Sequence, residues 1–335
     1  MVIYVYPDRI DFTNYSLRID SAGVRVTPVS SPAVTGTFSN VGAIGTTSPM
    51  LGTVAGYSSG GSVPPASNVI DKFPFASDTN ASDVGDLTQG RYLVAGQSST
   101  TKGYTSGGFN PAVNIIDSFP FASNANASDV GDITVARYGV AGQSSSTTGY
   151  TSGGFGGASY LNTIDSFPFA ANANATDVGD LTVGRYSVAG QSSTTNGYTS
   201  GGDAGSLSNV FDKFPFSTNA NATDVGDLTV ARYAAVGQSS TNSGYNSGGR
   251  SPALSNVIDN FPFATDINAS DVGDISVPRY NISGQSSVTS GYSSGGFAFA
   301  GTTNVIDKFP FAVSNNASDV GDLTVARYAP AGQQD

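Results

Sequence analysis

The chain has 335 residues, and its 25 acidic residues, all of them Asp, outnumber the 14 Lys and Arg to give a net charge of −11. Cysteine and histidine are absent, which excludes disulfides, the usual zinc and copper sites and His-dependent serine or cysteine catalysis. The charge disfavours nucleic acid and anionic membranes as partners, and the 42 glycines with abundant Val, Tyr, Phe and Thr predict an all-β fold.

Residues 1–35 do not repeat, and they predict a small β-rich N-terminal extension. Short runs that are typical of strands lie at residues 2–6, 10–12, 16–19 and 23–27, with a hairpin turn at 20–23. So few strands bury too little surface to be stable alone. We therefore expect a docking or oligomerisation segment, with a packed appendage of the following domain as the alternative.

Residues 36–51 are mostly small and polar, which predicts an extended linker arm or one strand added to the next domain. The chain shows no secretory signal and no apolar run of about 20 residues. We therefore expect synthesis in the cytosol and no membrane insertion.

Residues 52–335 contain a repeat of 46 to 48 residues. Gly-Tyr-x-Ser-Gly-Gly begins at Gly56, Gly103, Gly149, Gly197, Gly244 and Gly291. Phe-Pro-Phe lies at residues 73–75, 119–121, 167–169, 214–216, 261–263 and 309–311. Asp-Val-Gly-Asp begins at Asp83, Asp129, Asp177, Asp224, Asp271 and Asp319. An Arg-Tyr pair begins at Arg91, Arg137, Arg185, Arg232, Arg279 and Arg327.

Each copy predicts four short strands, which we name A to D. In the second copy they cover residues 91–97, 103–108, 114–121 and 128–134, with polar turns between them. Four antiparallel strands in this length match one blade of a β-propeller.

An Arg before a small-residue strand, then Tyr-x-x-Gly-Gly and an x-Ile-Asp strand, resembles the Kelch repeat. The resemblance implies a six-bladed β-propeller over residues 52–335. The chain ends on an A strand at residues 327–333, while the first copy has only B, C and D. We expect this C-terminal strand to complete the first blade and close the ring.

The repeated residues predict structural roles. Gly107 and Gly108, with their equivalents, are expected to adopt positive φ or to pack closely against backbone. The two Phe of Phe-Pro-Phe face one side and are expected to fill the space between blades, with exposed sugar stacking as the alternative. The Asp-Val-Gly-Asp turn and the nearby Arg predict an Arg–Asp bridge around the ring.

Two alternatives remain open for these turns. Calcium binding near Asp78, Asn80 and Asp83 is one, although no cofactor is expected otherwise. Glycosylation is the second, because every copy carries Asn-Ala-Ser or Asn-Ala-Thr, which is formally a glycosylation acceptor. The competing interpretation of this motif is a structural role in the turn.

The loops between strands B and C vary most, and strand alternation places all of them at one end of the ring. Loops tolerate change in general, but large side chains here are typical of binding surfaces. The candidate partner-binding residues are Phe109, Phe155, Tyr160, Arg250, Phe297 and Phe299.

The Gly-, Ser-, Thr- and Asn-rich copies also resemble Kelch-like structural proteins of tailed, particularly marine, bacteriophages. That resemblance implies a non-catalytic virion protein, homo-oligomeric in the particle, that displays a propeller to a host receptor or glycan. It also implies assembly in the host cytoplasm and release by lysis. Contacts with other virion proteins are assigned to the N-terminal segment, through Tyr4, Tyr6, Phe12 and Tyr15. The alternatives are a bacterial surface or secreted adhesin and, third, an intracellular scaffold.

Overall fold

The computed structural model describes the backbone of residues 3–6, 9–12, 15–20 and 23–28, and both backbone and side chains of residues 51–335. Every regular element in these ranges is a β-strand, so the all-β prediction is confirmed. The chain divides into two compact units, Met1–Thr46 and Thr47–Asp335.

Among its described residues, the first unit contains one antiparallel sheet whose strands follow chain order. They are β1 (Ile3–Tyr6), β2 (Arg9–Phe12), β3 (Tyr15–Asp20) and β4 (Gly23–Pro28). Each matches its predicted run to within one residue at either end. The side chains of Tyr4, Tyr6, Phe12 and Tyr15 lie outside the described residues, and so does the predicted linker as far as residue 50.

The second unit contains six four-stranded antiparallel sheets within residues 51–335, which we number I to VI. Sheet I includes β5 (Ala55–Ser59), β6 (Val69–Pro74) and β7 (Ser82–Asp86). Sheet II comprises β8 (Ala95–Ser98), β9 (Lys102–Ser106), β10 (Ile115–Pro120) and β11 (Ser128–Asp132). Sheet III comprises β12 (Ala141–Ser144), β13 (Thr148–Ser152), β14 (Thr163–Pro168) and β15 (Thr176–Asp180). Sheet IV comprises β16 (Ala189–Ser192), β17 (Asn196–Ser200), β18 (Val210–Pro215) and β19 (Thr223–Asp227).

The last two sheets carry short extra strands in or beside their B–C loops. Sheet V comprises β20 (Val236–Ser239), β21 (Ser243–Ser247), β24 (Val257–Pro262) and β25 (Ser270–Asp274), with the hairpin β22 (Arg250–Ser251) and β23 (Ala253–Leu254). Sheet VI comprises β27 (Ser283–Ser286), β28 (Ser290–Ser294), β31 (Val305–Pro310) and β32 (Ser318–Asp322). A small sheet beside it joins β26 (Arg279–Tyr280), β29 (Phe297–Ala298) and β30 (Gly301–Thr302). The final strand, β33 (Ala331–Gln334), pairs with β5 as strand A of sheet I.

The sheets meet through their faces and through their A strands. Phe119 and Phe121 of sheet II pack on Tyr57 of sheet I, with ring centroids 5.5 and 4.9 Å apart. The same triad recurs between the other sheets. The prediction that Phe-Pro-Phe fills the space between sheets is therefore confirmed. Such aromatic contacts add about 0.5–1.5 kcal/mol per pair to the free energy of burial.

Strand A consists largely of small residues because neighbouring A strands approach one another closely. A Cβ on Gly96 would lie 2.1 Å from the carbonyl oxygen of Gly332 in the adjacent strand, so only glycine fits there. The next residue, Gln97, is buried, and its Nε2 donates to Tyr150 O at 2.9 Å and to Thr151 Oγ1 at 3.1 Å in sheet III. The Ala-Gly-Gln sequence thus combines close packing with a polar link to the next sheet.

The residue two positions after each repeated Arg takes part in a set of backbone hydrogen bonds between sheets. Each N–H donates to the carbonyl of its equivalent in the preceding copy, at 2.6 to 2.9 Å, and the series returns to its start. The members are Leu93, Gly139, Ser187, Ala234, Asn281 and Ala329. All have φ between 53° and 65°. This left-handed residue interrupts the extended backbone that was predicted to begin at the repeated Arg. Strand A of sheet II therefore begins at Ala95 and not at residue 91 as predicted.

The double glycine has the conformation predicted for it. Gly107 and Gly108 have φ of +63° and +114°, and Gly108 N–H donates to Arg137 O at 2.9 Å. A Cβ on Gly107 would lie 2.7 Å from that same carbonyl. The double glycine therefore fixes the start of each B–C loop against the Arg of the following copy.

Candidate binding face

The repeated Arg positions the connection between strand D of one sheet and strand A of the next. In sheet II, Arg91 and Asp117 are fully buried, and Arg91 Nη1 donates to Asp117 Oδ2 at 2.8 Å. Thr88 in the same connection donates to this carboxylate from its backbone N–H at 3.0 Å and from Oγ1 at 2.8 Å. These hydrogen bonds hold the connection, which leads from sheet I into sheet II, against strand C of sheet II.

The partner predicted for the Arg was wrong. The repeated Arg pairs with the Asp of the x-Ile-Asp strand C, at 2.8 to 3.0 Å in all six copies, and not with Asp-Val-Gly-Asp. Burial lowers the pKa of Arg137, and the charge of Asp165 opposes that shift. A buried guanidinium requires such a buried carboxylate, because an unpaired buried charge is strongly destabilising.

The Asp-Val-Gly-Asp segment makes a local turn and a contact between sheets. Asp129 Oδ1 accepts from Gly131 N–H at 3.1 Å. Asn174 of the next Asn-Ala-Thr accepts from Asp132 N–H at 3.1 Å, and Ala175 N–H donates to Asp132 O at 2.7 Å. The formal glycosylation motif therefore has a structural role as a clamp between neighbouring sheets.

The oxygens considered for calcium have other partners. Asp78 pairs with Lys308 at 3.0 Å, Asn80 accepts from Asp322 N–H, and Asp83 accepts from Gly85 N–H. Within the described ranges, no three His, Cys, Asp or Glu residues lie close enough to hold a metal ion.

The Tyr after each Arg pairs with the first residue of a B–C loop, immediately after the double glycine. Tyr92 N–H donates to Phe109 O at 3.2 Å, and Phe109 N–H donates to Tyr92 O at 2.8 Å. The equivalent pairs are Tyr138/Phe155, Tyr186/Asp203, Tyr233/Arg250, Tyr280/Phe297 and Tyr328/Ser62. We call these twelve residues the tyrosine face, and the member after the double glycine the variable position.

The side chains of the tyrosine face form an interrupted belt of rings. Phe109 lies between Tyr92 and Tyr138, at centroid distances of 5.7 and 4.8 Å. Phe155 lies in the same way between Tyr138 and Tyr186, and Phe297 between Tyr280 and Tyr328. Where the variable residue is Ser62, Tyr92 and Tyr328 contact one another at 5.9 Å. No ring contact joins Tyr186 to Tyr233 in the described chain, and Asp203 is the variable residue there.

The tyrosines of this face keep their hydroxyl groups available. The core tyrosines Tyr104 and Tyr150 donate to backbone carbonyls. By contrast, no hydrogen bond within residues 51–335 engages the hydroxyls of the six face tyrosines, Tyr92, Tyr138, Tyr186, Tyr233, Tyr280 and Tyr328, or that of the neighbouring Tyr160. Partial burial, followed by the charge of Asp203, raises the pKa of Tyr186, so it stays a neutral donor at physiological pH.

The predicted partner-binding residues fall into three groups. Phe109, Phe155, Arg250 and Phe297 occupy variable positions. Tyr160 contacts the belt, with its ring stacked on Tyr186 at 5.6 Å. Phe299 lies between β29 and β30, and the residue is 98% exposed.

Sequence reasoning missed the six tyrosines of the face, together with Asp203 and Ser62. The Arg-Tyr pair was assigned to strand A as a whole. The one sequence signal for the tyrosines was that a Tyr follows the Arg in every copy, although the residues after it are mostly small.

A scan against protein-family models and a search of curated proteins both give no match to this chain. None of the described residues belongs to a helix that could cross a membrane.

Proposed function

We propose that residues 52–335 form a six-bladed, Kelch-like propeller closed by its C-terminal strand. Three contacts support this arrangement. Strand β33 completes sheet I beside β5. The backbone hydrogen bonds of the left-handed residues return from Ala329 to Leu93. The A strands contact one another in succession, from β8 through β12, β16, β20, β27 and β33 back to β8.

The propeller works as a binding module, and the tyrosine face is the observation that carries this proposal. Backbone hydrogen bonds hold the variable position in place, while its side chain changes between Phe, Asp, Arg and Ser. Aromatic rings with free hydroxyl groups offer both apolar area and hydrogen bonds at low entropic cost. That combination suits a glycan or a receptor surface on a host cell.

The module is non-catalytic. Asp203 is the single carboxylate among the twelve residues of the tyrosine face, so the face lacks the paired acid and base that hydrolysis needs. The buried aspartates of strand C are each paired with an Arg, as Asp117 is with Arg91.

The protein is a structural component of a tailed phage particle, as a tail fibre, a tail-associated protein or a capsid decoration. This assignment derives from the resemblance of the repeats and from the layout of a small β-sheet unit before a larger domain. The N-terminal unit attaches to other virion proteins, and the propeller faces the host.

Antibody-gold electron microscopy on particles from the source culture tests this placement. Gold at a fixed position on tailed particles is expected, and that position separates fibre from decoration. Gold on cell envelopes with bare particles would overturn the virion assignment in favour of a bacterial surface adhesin.

A further inference from the structure

Arg250 is the one exposed Arg in residues 51–335. The six repeated Arg residues are buried, and each lies beside a buried Asp. Lys213 and Lys308 pair with exposed aspartates, and the Lys72 ammonium lies 5.4 Å from the Tyr57 ring. Arg250 occupies a variable position and is the single cation of the tyrosine face.

The guanidinium of Arg250 is held in place without being neutralised. Its backbone pairs with Tyr233 on one side and with Leu254 on the other. Its Nε donates to Pro252 O at 3.1 Å, and its Cζ lies 5.8 Å from the ring centroid of Tyr280. Nη1 and Nη2 have no acceptor among the described residues. An Arg stacked on an aromatic ring loses little entropy when its remaining N–H groups bind an anion.

We propose that the tyrosine face binds a sugar that carries a carboxylate, with this group on Nη1 and Nη2 of Arg250. This inference rests on the proposed binding function of the face. The sugar ring then lies against Tyr280 and its aromatic neighbours. Asp203 occupies the variable position of the copy immediately before that of Arg250. Its Oδ1 accepts from Gly205 N–H at 2.7 Å, while Oδ2 is left to accept a sugar hydroxyl.

The charge of the protein limits how many anionic groups the ligand can carry. The chain has a net charge of −11, and the face supplies one guanidinium. A bidentate Arg–carboxylate contact is strong at short range, whereas repulsion beyond about 8 Å is screened at physiological salt. A glycan with widely spaced carboxylates therefore suits this face better than a dense polyanion such as a heavily sulfated chain.

A glycan array tests the proposal with matched probes. The array should carry uronic-acid oligosaccharides, their carboxyl-reduced counterparts and sulfated chains. The full-length protein is compared with Arg250→Gln, Arg250→Lys and a control, Lys213→Gln. Lys213 lies in β18 and pairs with Asp266, so its substitution changes the net charge equally but away from the face.

We expect uronic-acid binding by the native protein, with a loss of about 10-fold or more on carboxyl reduction and in Arg250→Gln. Arg250→Lys should lose part of the affinity, and Lys213→Gln should keep it. Equal binding of acidic and reduced glycans overturns the carboxylate inference but leaves the binding face in place. Preference for sulfated chains overturns it as well. If the protein binds no glycan but still adheres to cells, its ligand is a receptor other than a sugar, and the carboxylate inference is overturned.

Discussion

The amide of Leu93, two residues before strand A of sheet II, donates a 2.9 Å hydrogen bond to the carbonyl of Ala329 in the C-terminal segment. The following residues of that segment form β33, which supplies strand A of sheet I. The last few residues of the chain therefore support the first sheet of the repeat region.

Deleting residues 327–335 should produce aggregation or the loss of a cooperative thermal transition. The deletion removes a strand, a buried Arg–Asp pair and the Leu93 contact, and it exposes the edge of β5. Calorimetry and light scattering measure the effect. Placing residues 327–335 before Thr53 through a short linker should restore the transition, because Asp335 O already accepts from Thr53 N–H at 2.7 Å. An unchanged Tm in the truncated protein contradicts closure.

Replacing Asp117 with Ala should lower the free energy of unfolding by about 3–5 kcal/mol, because it leaves the buried Arg91 charge without a partner. The double variant Arg91→Met with Asp117→Leu should be clearly less destabilised. Asp129→Ala is a matched control, since that exposed Asp accepts one local hydrogen bond. Denaturant unfolding gives these values. Equal stability of Asp117→Ala and Asp129→Ala would show that the buried pair does not stabilise the fold.

Gly107→Ala should destabilise the protein more than Gly157→Ala. Both glycines have positive φ, +63° and +83°, so Ala costs about 1–2 kcal/mol at either position. A Cβ on Gly107 also meets Arg137 O at 2.7 Å, whereas a Cβ on Gly157 meets nothing within 4 Å. The difference between the two unfolding free energies isolates this steric contact. If the two values agree, the close approach at Gly107 is not rigid.

Stability should fall as the pH rises above about 10, the pKa of tyrosine in an unfolded chain. Burial raises the pKa of Tyr198 to about 12, because the folded protein disfavours the charged phenolate. Its contribution is therefore intact below pH 10 and is lost as pH rises from 10 towards 12. Burial also raises the pKa values of Tyr57, Tyr104, Tyr150, Tyr245 and Tyr292.

Tyr198→Phe provides the control for that pH dependence. The Tyr198 hydroxyl has no well-formed hydrogen bond among the described residues, so its removal should leave stability at pH 7 nearly unchanged. Urea unfolding between pH 8 and 11.5 should then show a smaller alkaline loss in Tyr198→Phe than in the native protein. An identical alkaline loss of stability in both proteins would mean that Tyr198 does not have the raised pKa of a buried tyrosine.

The repeat made most of the second unit predictable. Strand C was predicted over residues 114–121 and covers Ile115–Pro120, because alternating apolar residues bounded by turns define a strand. The partners of Arg91 and Asn174 could not be read in this way. Both contacts depend on how a segment lies against a strand distant in sequence. A repeat fixes which residues are equivalent, but it does not say which of them meet.

The most direct test of the central claim is adhesion of the full-length protein, labelled away from the face, to cells of the source culture. A variant with Phe155, Tyr160, Phe297 and Phe299 all changed to Ser is compared with the native protein, and far-UV circular dichroism and Tm establish that both are folded. The account predicts saturable binding of the native protein and loss of that binding in the folded variant. Equal adhesion by both proteins would contradict the aromatic residues of the variable positions and their B–C loops as the binding site.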